Sequence, residues 1–598
     1  MKKTFHLFLI FFLLAFTACN FGKKNNENPE ILSEELSQHV NYLASDSLAG
    51  RKPGTEGDLA AAKYIANEFE KVGLLKFNET YFQKLMVTTE VKAGEKNSFT
   101  IGEYSATLAT DYTPMSYTAN ANVEAKVVFA GYGFNINEDS LKWNDFDKID
   151  AKGKWVIILR ADPELDNPNS AFITYSKDRT KILAARDAGA AGVLLVSGAE
   201  VEKDDLLMEL KLGRDNVSEM IPVANITRAL ANKILLQSGK TIEDLEKLII
   251  ESHSPSSFEI ETSVNISLEV IKGEVETQNV VAYIEGSDPN LKNEYVVLGA
   301  HYDHLGMGGA ESGSRRPDTT AVHNGADDNA SGVAAMIEIA EKLSAMKDSL
   351  KRSVVFVAFA GEEMGLLGSK FFAENPLFDL KSVQTMINLD MVGRLDTTSN
   401  TLSIGGTGTS TAFENLLKEM EKSSNLNIAQ SPEGFGPSDH ASFYVLDIPV
   451  LFFTTGGNSE YHTPFDDADL INFNGMKKVA DFGFQLIVNL ANKAEKIDFQ
   501  LAGPKERNNS GRGLKVKLGI MPAYADENNQ GVKVEAVTQG GPAFEAKMLK
   551  GDVIVAVNEL PVQNIYDYMA RLQTLKLGQT ITVDVMREGK KVTLIVQL

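Results

Sequence analysis

Four strongly apolar segments in the second half of the chain each lead into residues that ionise or bind metals. The segments EYVVLGA, SVVFVAFA, SVQTMINL and IPVLFFTT are rich in β-branched residues and almost continuously apolar. Such segments are typical of strands that are buried on both faces of a mostly parallel sheet. Amphipathic helical patterns, such as SGVAAMIEIAEKLSAM, alternate with them. We therefore predict an α/β domain in which helices cover both faces of the sheet.

The residues after these strands are the candidate site. The loop after the first strand contributes His301, Asp303 and His304, and the loop after the second contributes Glu362 and Glu363. Asp390 follows the third strand and His462 follows the fourth. A further segment, HNGADDNASG, places Asp327 and Asp328 before a helix. Ligands of open α/β sheets bind beyond the carboxyl ends of the strands, so these residues should share one rim. Each motif alone has a simpler interpretation, such as a helix cap or a solvated turn. Together they favour zinc, which binds histidine and carboxylate and keeps one position for water at a catalytic site.

Two short-range spacings suggest distinct roles. Glu362 and Glu363 are adjacent, and adjacent residues do not share a face, so we expect one to bind metal and the other to face the water. Asp303 lies two residues after His301, on the same side of an extended segment. Its carboxylate is predicted to accept the second ring N–H of His301 and to fix the tautomer.

The motifs GAHYDHLG, NGADDNASG, FAGEEMGLLGS, INLDMVG and SDHASFYVLDIPVLFFTTGGNSEYHTPFDD together resemble the di-zinc exopeptidase family of bacterial leucyl aminopeptidases. Glutamate carboxypeptidases and glutaminyl cyclases are relatives of that family. The segment LASDSLAGRKPGTEG near the N-terminus also matches. The resemblance implies a three-layer α/β/α zinc peptidase domain built from residues 31–118 and 265–497.

The resemblance also implies a role for each matching residue. It implies two zinc ions. His301 and Asp390 would hold one ion, Glu363 and His462 would hold the other, and Asp327 would bridge them. Glu362 would be the general base, and Asp303 is counted with Glu362 among the catalytic residues. Three carboxylates and a hydroxide would balance the charge of two zinc ions, which lowers the cost of burial. The family often has a cis peptide at the junction of Asp327 and Asp328. Ser438, Asp439 and His440 match a motif near the substrate pocket, or else cap the following segment, and Tyr461 is assigned to the same pocket.

The end of the peptide that is recognised stays open on sequence grounds. The loop LGMGGAESGSRRPDTTAVHN should border the site, and it offers Glu311 to an α-ammonium and Arg315 and Arg316 to a carboxylate. The family favours an aminopeptidase acting on peptides. The alternatives are a carboxypeptidase of the glutamate carboxypeptidase type, a glutaminyl cyclase and a non-catalytic surface binding protein.

Two further domains are expected. Residues 119–264 resemble a protease-associated domain inserted into the peptidase domain. After a linker at 498–510, residues 511–598 resemble a PDZ domain of bacterial proteases, with Leu518, Gly519 and Ile520 in the carboxylate-binding loop. Such a domain binds the C-terminus of a peptide or protein by adding it to a sheet edge. Alternatively, this edge is covered by the protein's own chain or serves assembly.

The N-terminus has the layout of an export signal. Two lysines precede a short apolar run, and the only cysteine, Cys19, follows Phe16-Thr17-Ala18. Residues 1–18 are predicted to be a signal peptide, Cys19 a lipid-attachment site and 19–30 a flexible tether, with plain secretion as the alternative. The protein is then exported and lipid-anchored to a bacterial membrane, facing the periplasm or the cell surface. The net charge of -22 argues against nucleic acid as a partner.

Overall fold

The computed structural model describes residues 30–598 except 139–140, 166, 168–169, 213–220, 311, 504, 506–515, 523–530, 539, 563–567, 569–570 and 573–574. The predicted signal peptide, Cys19, Glu311 and much of the predicted linker lie outside the described residues. None of the helices in the described ranges combines the length and the apolar character that crossing a membrane requires.

The elements follow one another in four stretches of chain. The first stretch holds α1 (Ser33–Leu43), α2 (Glu56–Lys71), β1 (Leu75–Lys76) and β2 (Phe82–Ala93). The second holds β3 (Ser98–Ile101), β4 (Tyr104–Ala106), β5 (Tyr112–Pro114), β6 (Ala121–Ala130), β7 (Asn135–Asn137), β8 (Lys142–Asn144), β9 (Trp155–Leu159), α3 (Asp178–Asp187), β10 (Gly192–Val196), β11 (Val223–Ile226), α4 (Arg228–Leu235), α5 (Ile242–Ser252) and β12 (Ser257–Leu268).

The third stretch holds β13 (Val270–Ile284), β14 (Tyr295–His301), α6 (Gly332–Ala345), β15 (Ser353–Phe359), α7 (Leu367–Glu374), β16 (Val383–Leu389), β17 (Thr401–Gly405), α8 (Phe413–Ser423), β18 (Asn427–Gln430), α9 (His440–Tyr444), β19 (Val450–Thr454) and α10 (Phe473–Asn492). The fourth holds β20 (Ile520–Pro522), β21 (Val532–Val537), α11 (Pro542–Glu545), β22 (Val553–Val557), β23 (Leu560–Pro561), β24 (Thr580–Arg587) and β25 (Lys590–Gln597).

The peptidase sheet has nine strands in the order β1-β13-β15-β14-β16-β19-β17-β18, with β2 also paired to β13. Its central strands β15, β14, β16 and β19 are parallel, and β13 and β17 flank them in the antiparallel sense. Residues of α1, α2, α6, α8 and α10 form the core on one face, and those of α7 and α9 pack on the other. The predicted three-layer α/β/α architecture is thereby confirmed.

The inserted domain has its own sheet of eight strands, ordered β4-β3-β12-β6-β9-β10-β11-β5. The strands β6, β9, β10 and β11 at its centre are parallel. This sheet extends beyond the predicted range 119–264, because β3 pairs with β12, β5 pairs with β11, and β12 continues to Leu268. The early strands are only three or four residues long, so their sequence signal is weak.

The C-terminal domain is a small β structure with the order β20-β21-β22-β24-β25, and β23 pairs with β22. A separate apolar core that includes Val534, Ile554 and Val583 supports it. Within the described residues, β20 pairs only with β21 and lies at the edge of this sheet.

Candidate metal centre

The four central strands of the peptidase sheet deliver the candidate residues to one edge. His301 is the last residue of β14, Asp390 directly follows β16, and Glu362 and Glu363 lie just after β15. The loop after β19 carries His462. Because these parallel strands are neighbours, their carboxyl ends bring residues far apart in sequence into contact.

Asp328 lies between two histidines at the centre of this cluster. Its Oδ1 is 3.3 Å from Nε2 of His301, and its Oδ2 is 3.2 Å from Nε2 of His462. Nε2 of His301 is also 3.5 Å from Oδ1 of Asp390, and Nε2 of His462 is 3.0 Å from Oε2 of Glu363. Two donor sets therefore share one carboxylate, and that carboxylate belongs to Asp328.

The prediction that Asp327 is the bridge is therefore wrong in the structure. The carboxylate of Asp327 accepts hydrogen bonds from the backbone N–H of Gly393 at 2.8 Å and from the side-chain amide of Asn458 at 3.0 Å. It connects the loops after β16 and β19 and turns away from the two histidines. The non-proline cis peptide lies one residue later than predicted as well, between Asp328 and Asn329.

The donor sets fit zinc in chemistry and in spacing. Zinc takes imidazole nitrogen and carboxylate oxygen at about 2.0–2.2 Å, so ligand atoms on a tetrahedron lie about 3.3–3.6 Å apart. The histidine–carboxylate distances of 3.0–3.5 Å around Asp328 lie at or close to this range. His301, Asp328 and Asp390 form one group that could hold a metal ion, and His304, Asp328 and Glu363 form a second. Without cations, several carboxylates would be buried together at high cost.

Backbone carbonyls orient both histidines. Nδ1 of His462 lies 3.2 Å from the carbonyl of Gly313, and Nδ1 of His301 lies 3.3 Å from the carbonyl of Asp303. A hydrogen bond at Nδ1 leaves Nε2 as the lone-pair donor, which is the tautomer a metal ligand needs. Contrary to the prediction, the carbonyl of Asp303 is the closer acceptor, because its carboxylate is 3.8 Å from Nδ1 of His301.

The Asp303 carboxylate instead holds the turn of the two adjacent acids. It accepts from the backbone N–H of Glu362 at 3.0 Å and from that of Glu363 at 3.4 Å. With both amides anchored, the side chains separate, and Glu363 reaches His462 and, at 2.8 Å, Nδ1 of His304. Burial and the carboxylates around it raise the pKa of Glu362 well above its usual value, although His301 opposes this effect. Glu362 is held close to the centre by its backbone, and no histidine of the described residues pairs with its carboxylate.

Asp466 supports the turn before α6. Its buried carboxylate accepts from the backbone N–H of Asp327 at 3.1 Å and of Asp328 at 3.0 Å. Burial raises the pKa of Asp466 to about 6. The sequence analysis did not single out this residue, although its signal is present as the first acid of the PFDD segment.

Arg51 is the second residue that the sequence analysis missed. Its guanidinium, which is 1% exposed, donates to the carbonyls of Tyr302 at 2.7 Å, Leu43 at 2.5 Å, Asn324 at 2.6 Å and Gly325 at 3.0 Å. Burial lowers its pKa to about 10, while the neighbouring Asp303, Asp328, Asp466 and Glu363 oppose that shift. Arg51 thus ties the N-terminal LASDSLAGRKPGTEG segment to the turns that carry His301 and Asp328, and it places a fixed positive charge behind them.

The predicted substrate-pocket residues fall into two groups. Ser438, Asp439 and His440 are completely buried, so none of them lies on an open pocket wall. His440 begins α9 and stacks on Phe452, and no side chain of the described residues caps this helix, so the alternative of a cap is not supported. Tyr461 is different, because its ring stacks on His462 at a centroid distance of 3.8 Å and is partly accessible.

The loop that was expected to border the site does so through His462. The backbone N–H of Arg315 donates to the carbonyl of His462 at 2.8 Å, and Gly313 accepts from the ring of the same histidine. The side chain of Arg315 turns away toward Thr538 in the C-terminal domain. Arg316 is exposed.

Comparisons with known proteins agree with this centre. Peptidase family M28 matches residues 279–487, the PA domain matches residues 122–234 and the PDZ domain matches residues 516–598. Aminopeptidase YwaD of Bacillus subtilis (strain 168) is 25% identical over 469 residues, which is 76% of this chain and 84% of that protein. A probable zinc metalloprotease of Pyrenophora teres f. teres (strain 0-1) is 40% identical over 120 residues, but this is only 20% of the chain and 23% of the relative.

Among solved structures, an aminopeptidase from Aneurinibacillus sp. strain AM-1 is similar over 79% of this chain and 95% of its own, with 22% identity and a TM-score of 0.42. The family match covers all of the central strands and the candidate metal-ligating residues described above. Residues 279–487, which contain the candidate centre, thus match peptidase family M28, and the chain also carries matches to a PA domain before them and to a PDZ domain after them.

Proposed function

We propose that this protein is an aminopeptidase that removes N-terminal residues from peptides with the help of two zinc ions. The observation that carries the proposal is the position of Asp328, whose two oxygens face two histidines that belong to separate donor sets. His301 and Asp390 would hold one ion, Glu363 and His462 the other, and Asp328 would serve both. Bound there, zinc would lower the pKa of a water from about 15.7 to about 7 and polarise the scissile carbonyl.

Glu362 is the residue that would move the proton. Its raised pKa and its position beside the donor sets suit a group that takes a proton from the attacking water and delivers it to the leaving amine. Asp303 positions this group by holding the backbone of Glu362, so that the carboxylate does not have to be ordered in each turnover.

The charges around the centre favour recognition of an α-ammonium over a carboxylate. Asp439 adds negative charge next to Glu362, and this charge is not among those that zinc would balance. The nearby arginines of the described chain are engaged elsewhere: Arg394 pairs with Glu460 at 2.7 Å, Arg51 is buried under backbone carbonyls, and Arg315 turns to Thr538. Relatives named as aminopeptidases, among them YwaD, support the same choice.

A substrate panel tests the proposal. Purified protein is assayed with leucine p-nitroanilide, with N-blocked dipeptides that end in glutamate and with peptides that begin with glutamine, each with and without a chelator. We expect chelator-sensitive release of p-nitroaniline alone. Hydrolysis of only the blocked dipeptides would identify a carboxypeptidase. Ammonia release from the glutamine peptides without hydrolysis would identify a cyclase. If no substrate is turned over, the result would favour a non-catalytic binding protein.

The role of Glu362 has its own test. Glu362→Gln should lower kcat about 100- to 10,000-fold while zinc content, measured by elemental analysis, stays at the wild-type value. Glu362→Asp serves as the conservative comparison, because it keeps the charge but shortens the side chain. Wild-type turnover by the glutamine variant would show that Glu362 does not transfer a proton in the reaction.

We also propose that the protein is exported and anchored by a lipid on Cys19. The lysines, the apolar run and the single cysteine of the N-terminal sequence support this proposal. Mass spectrometry of protein purified from bacterial membranes should find a diacylglycerol-modified cysteine at the mature N-terminus. Cys19→Ala should move the protein to the soluble fraction, and an unmodified N-terminus on membrane-bound wild type would contradict the proposal.

A further inference from the structure

We propose that His304 is a positioning residue of the metal centre, whose Nδ1–H donates to Oε1 of Glu363 and leaves Oε2 as the oxygen that faces the zinc. His304 lies in the same HYDHLG segment as His301, and no ligand or catalytic role was predicted for it. The inference rests on the zinc centre of the proposed function, but it does not depend on which bond that centre cleaves.

The two oxygens of Glu363 face two different histidines. Oε1 lies 2.8 Å from Nδ1 of His304, and Oε2 lies 3.0 Å from Nε2 of His462. Nε2 of His462 is also 3.2 Å from Oδ2 of Asp328, whereas Nδ1 of His304 is 4.0 Å from that oxygen. His462 therefore lies close to both carboxylates, as a shared metal ligand would. His304 lies at hydrogen-bond distance from Glu363 alone.

The second ring nitrogen of His304 indicates where the ring proton lies. Nε2 is buried and has no hydrogen-bond partner among the described residues. A proton on Nε2 would be a buried donor without an acceptor, and such donors are rarer in proteins than acceptors with an unused lone pair. The neutral ring therefore carries its proton on Nδ1. A protonated nitrogen has no lone pair for a metal, so Nδ1 donates to Glu363 and does not act as a further zinc ligand.

The surroundings of His304 fix the direction of this hydrogen bond. Its backbone N–H donates to the carbonyl of Arg51 at 3.3 Å. Its ring lies against the backbone of Gly325, where an added Cβ would be 2.6 Å from two ring carbons. The ring of His462 lies nearly perpendicular to it, with 5.8 Å between the centroids. Packed in this way, the ring is held with Nδ1 toward Glu363.

A fixed donor on Oε1 determines how Glu363 can bind a metal. With Oε1 engaged by His304 and the backbone N–H held by Asp303 at 3.4 Å, Oε2 is the oxygen that remains for the zinc. Partners that orient a metal ligand in this way typically contribute about 10- to 100-fold to metal affinity. The other donor set has no equivalent, since among the described residues the carboxylate of Asp390 pairs with His301 alone.

The zinc affinity of the full-length protein tests this role. Zinc-loaded protein is titrated with a chelator, and the loss of each of the two ions is followed separately. His304→Leu removes the donor, and we expect one ion to bind about 10- to 100-fold more weakly and the other to change little. His304→Asn places an amide N–H at about the position of Nδ1, so it should restore most of the affinity. A histidine that only filled space would give the opposite order, because leucine fills an apolar gap better than asparagine.

His39 provides the matched control. Its Nε2 lies 3.2 Å from Oε1 of the buried Glu338 on α6, so it makes a histidine–glutamate contact that includes no residue of the metal centre. His39→Leu should lower stability in urea unfolding but leave both zinc dissociation constants within about twofold of the wild type. A similar loss of zinc affinity in this variant would show that the effect at His304 is general destabilisation, and would overturn the proposal.

Crystallography of the zinc-loaded wild type adds a test that needs no variant. We expect Nδ1 of His304 to lie more than about 3 Å from either zinc ion, whereas a ligand nitrogen would lie at about 2.0–2.1 Å. A bond of that length, or wild-type zinc affinity in His304→Leu, would overturn the proposal. Protein that binds two zinc ions but cleaves no peptide would refute only the aminopeptidase activity. Wild-type protein that binds no zinc would refute both.

Discussion

The central strands of the peptidase sheet and those of the inserted sheet are alike in direction and in burial, but their carboxyl ends carry different chemistry. Four parallel strands form each centre, and β9 and β15 are buried along their whole length. In the inserted sheet the polar residues after the strands find partners within their own neighbourhood, because Arg160 after β9 pairs with Asp178 at 2.9 Å and Thr227 after β11 caps α4. In the peptidase sheet the ends point at one another and converge on Asp328. The carboxyl ends of a parallel sheet determine where a site can lie, and the residues of the loops that follow determine whether that site can bind a metal or catalyse a reaction.

Each sheet also has a buried cation near these ends that donates to backbone carbonyls. Lys181 donates from Nζ to the carbonyl of Leu159 at 2.8 Å and to that of Ala161, and it lies over the ring of Phe134. Arg51 donates to carbonyls in the same way behind the peptidase strands. The two cations therefore serve the same backbone purpose and both lie among acids, but only those around Arg51 include residues of the candidate metal centre.

Removal of the shared carboxylate should have the largest effect of all. Asp328→Asn replaces one of the two shared oxygens by an NH2 group and removes the negative charge between the donor sets, so we expect loss of both zinc ions and a fall of more than about 10,000-fold in kcat/KM, since the reaction would lose its metal catalysis. Elemental analysis and the leucine p-nitroanilide assay measure the two effects. The matched change in the inserted sheet is Asp162→Asn, which alters a buried acid after β9. A comparable loss of zinc in that variant would show that the two strand ends are not as different as the structure indicates.

The buried cations provide the next contrast. Arg51→Met leaves four carbonyls without their donor and removes a charge from among the acids, so we expect about 3–5 kcal/mol less stability and about 10- to 100-fold weaker zinc binding. Lys181→Met should destabilise the inserted domain and leave zinc affinity unchanged. Zinc affinity is measured by chelator competition. Both tryptophans, Trp143 and Trp155, lie in the inserted domain, so their fluorescence follows its unfolding alone. Equal zinc affinity in the Arg51 variant would reduce that residue to a structural role.

Much of this difference could be predicted from the sequence, because it is carried by strong local patterns. The apolar strands and the ionisable residues after them indicated the sheet, the shared edge and most of the side chains that meet there. The exchange of Asp327 for Asp328 could not be foreseen, because both acids share one turn and backbone direction decides which one faces the histidines. Asp466 and Arg51 were missed for a related reason: they act through backbone groups of distant segments, and sequence spacing does not show such contacts. The short strands β3 to β5 lacked the length that makes a pattern clear.

The inserted sheet should show a dependence on pH that comes from Asp145. Burial raises the pKa of this aspartate from 3.8 to about 7. Between those values the folded protein holds a proton that the unfolded chain has released, so stability is highest at the acid end and falls as the pH rises toward 7. From pH 5 to pH 7 we expect a loss of about 2–3 kcal/mol, at about 1.4 kcal/mol per pH unit. Tryptophan fluorescence during urea unfolding provides the measurement.

Two variants define this pH effect. Asp145→Asn should flatten the slope between pH 5 and 7, whereas Asp147→Asn, at an exposed site two residues away, should keep it. The comparison ends at pH 7 because burial also lowers the pKa of Lys181 to about 7. Above that pH the unfolded chain binds the lysine proton more tightly, and stability then rises with pH. An unchanged slope in Asp145→Asn would assign the effect to another group.

The smallest effect, and the sharpest test of the centre, concerns Asp327. Its carboxylate accepts from Gly393 and Asn458 but contacts neither histidine, so Asp327→Asn should keep both zinc ions. An amide can replace only one of the two acceptor oxygens, which loosens the loops after β16 and β19 and should lower kcat/KM about 10- to 100-fold. If Asp327 were the bridge, the pattern would reverse: this variant would lose zinc, and Asp328→Asn would retain it. Zinc content measured on the two neighbouring variants therefore decides which carboxylate joins the donor sets, independently of any rate.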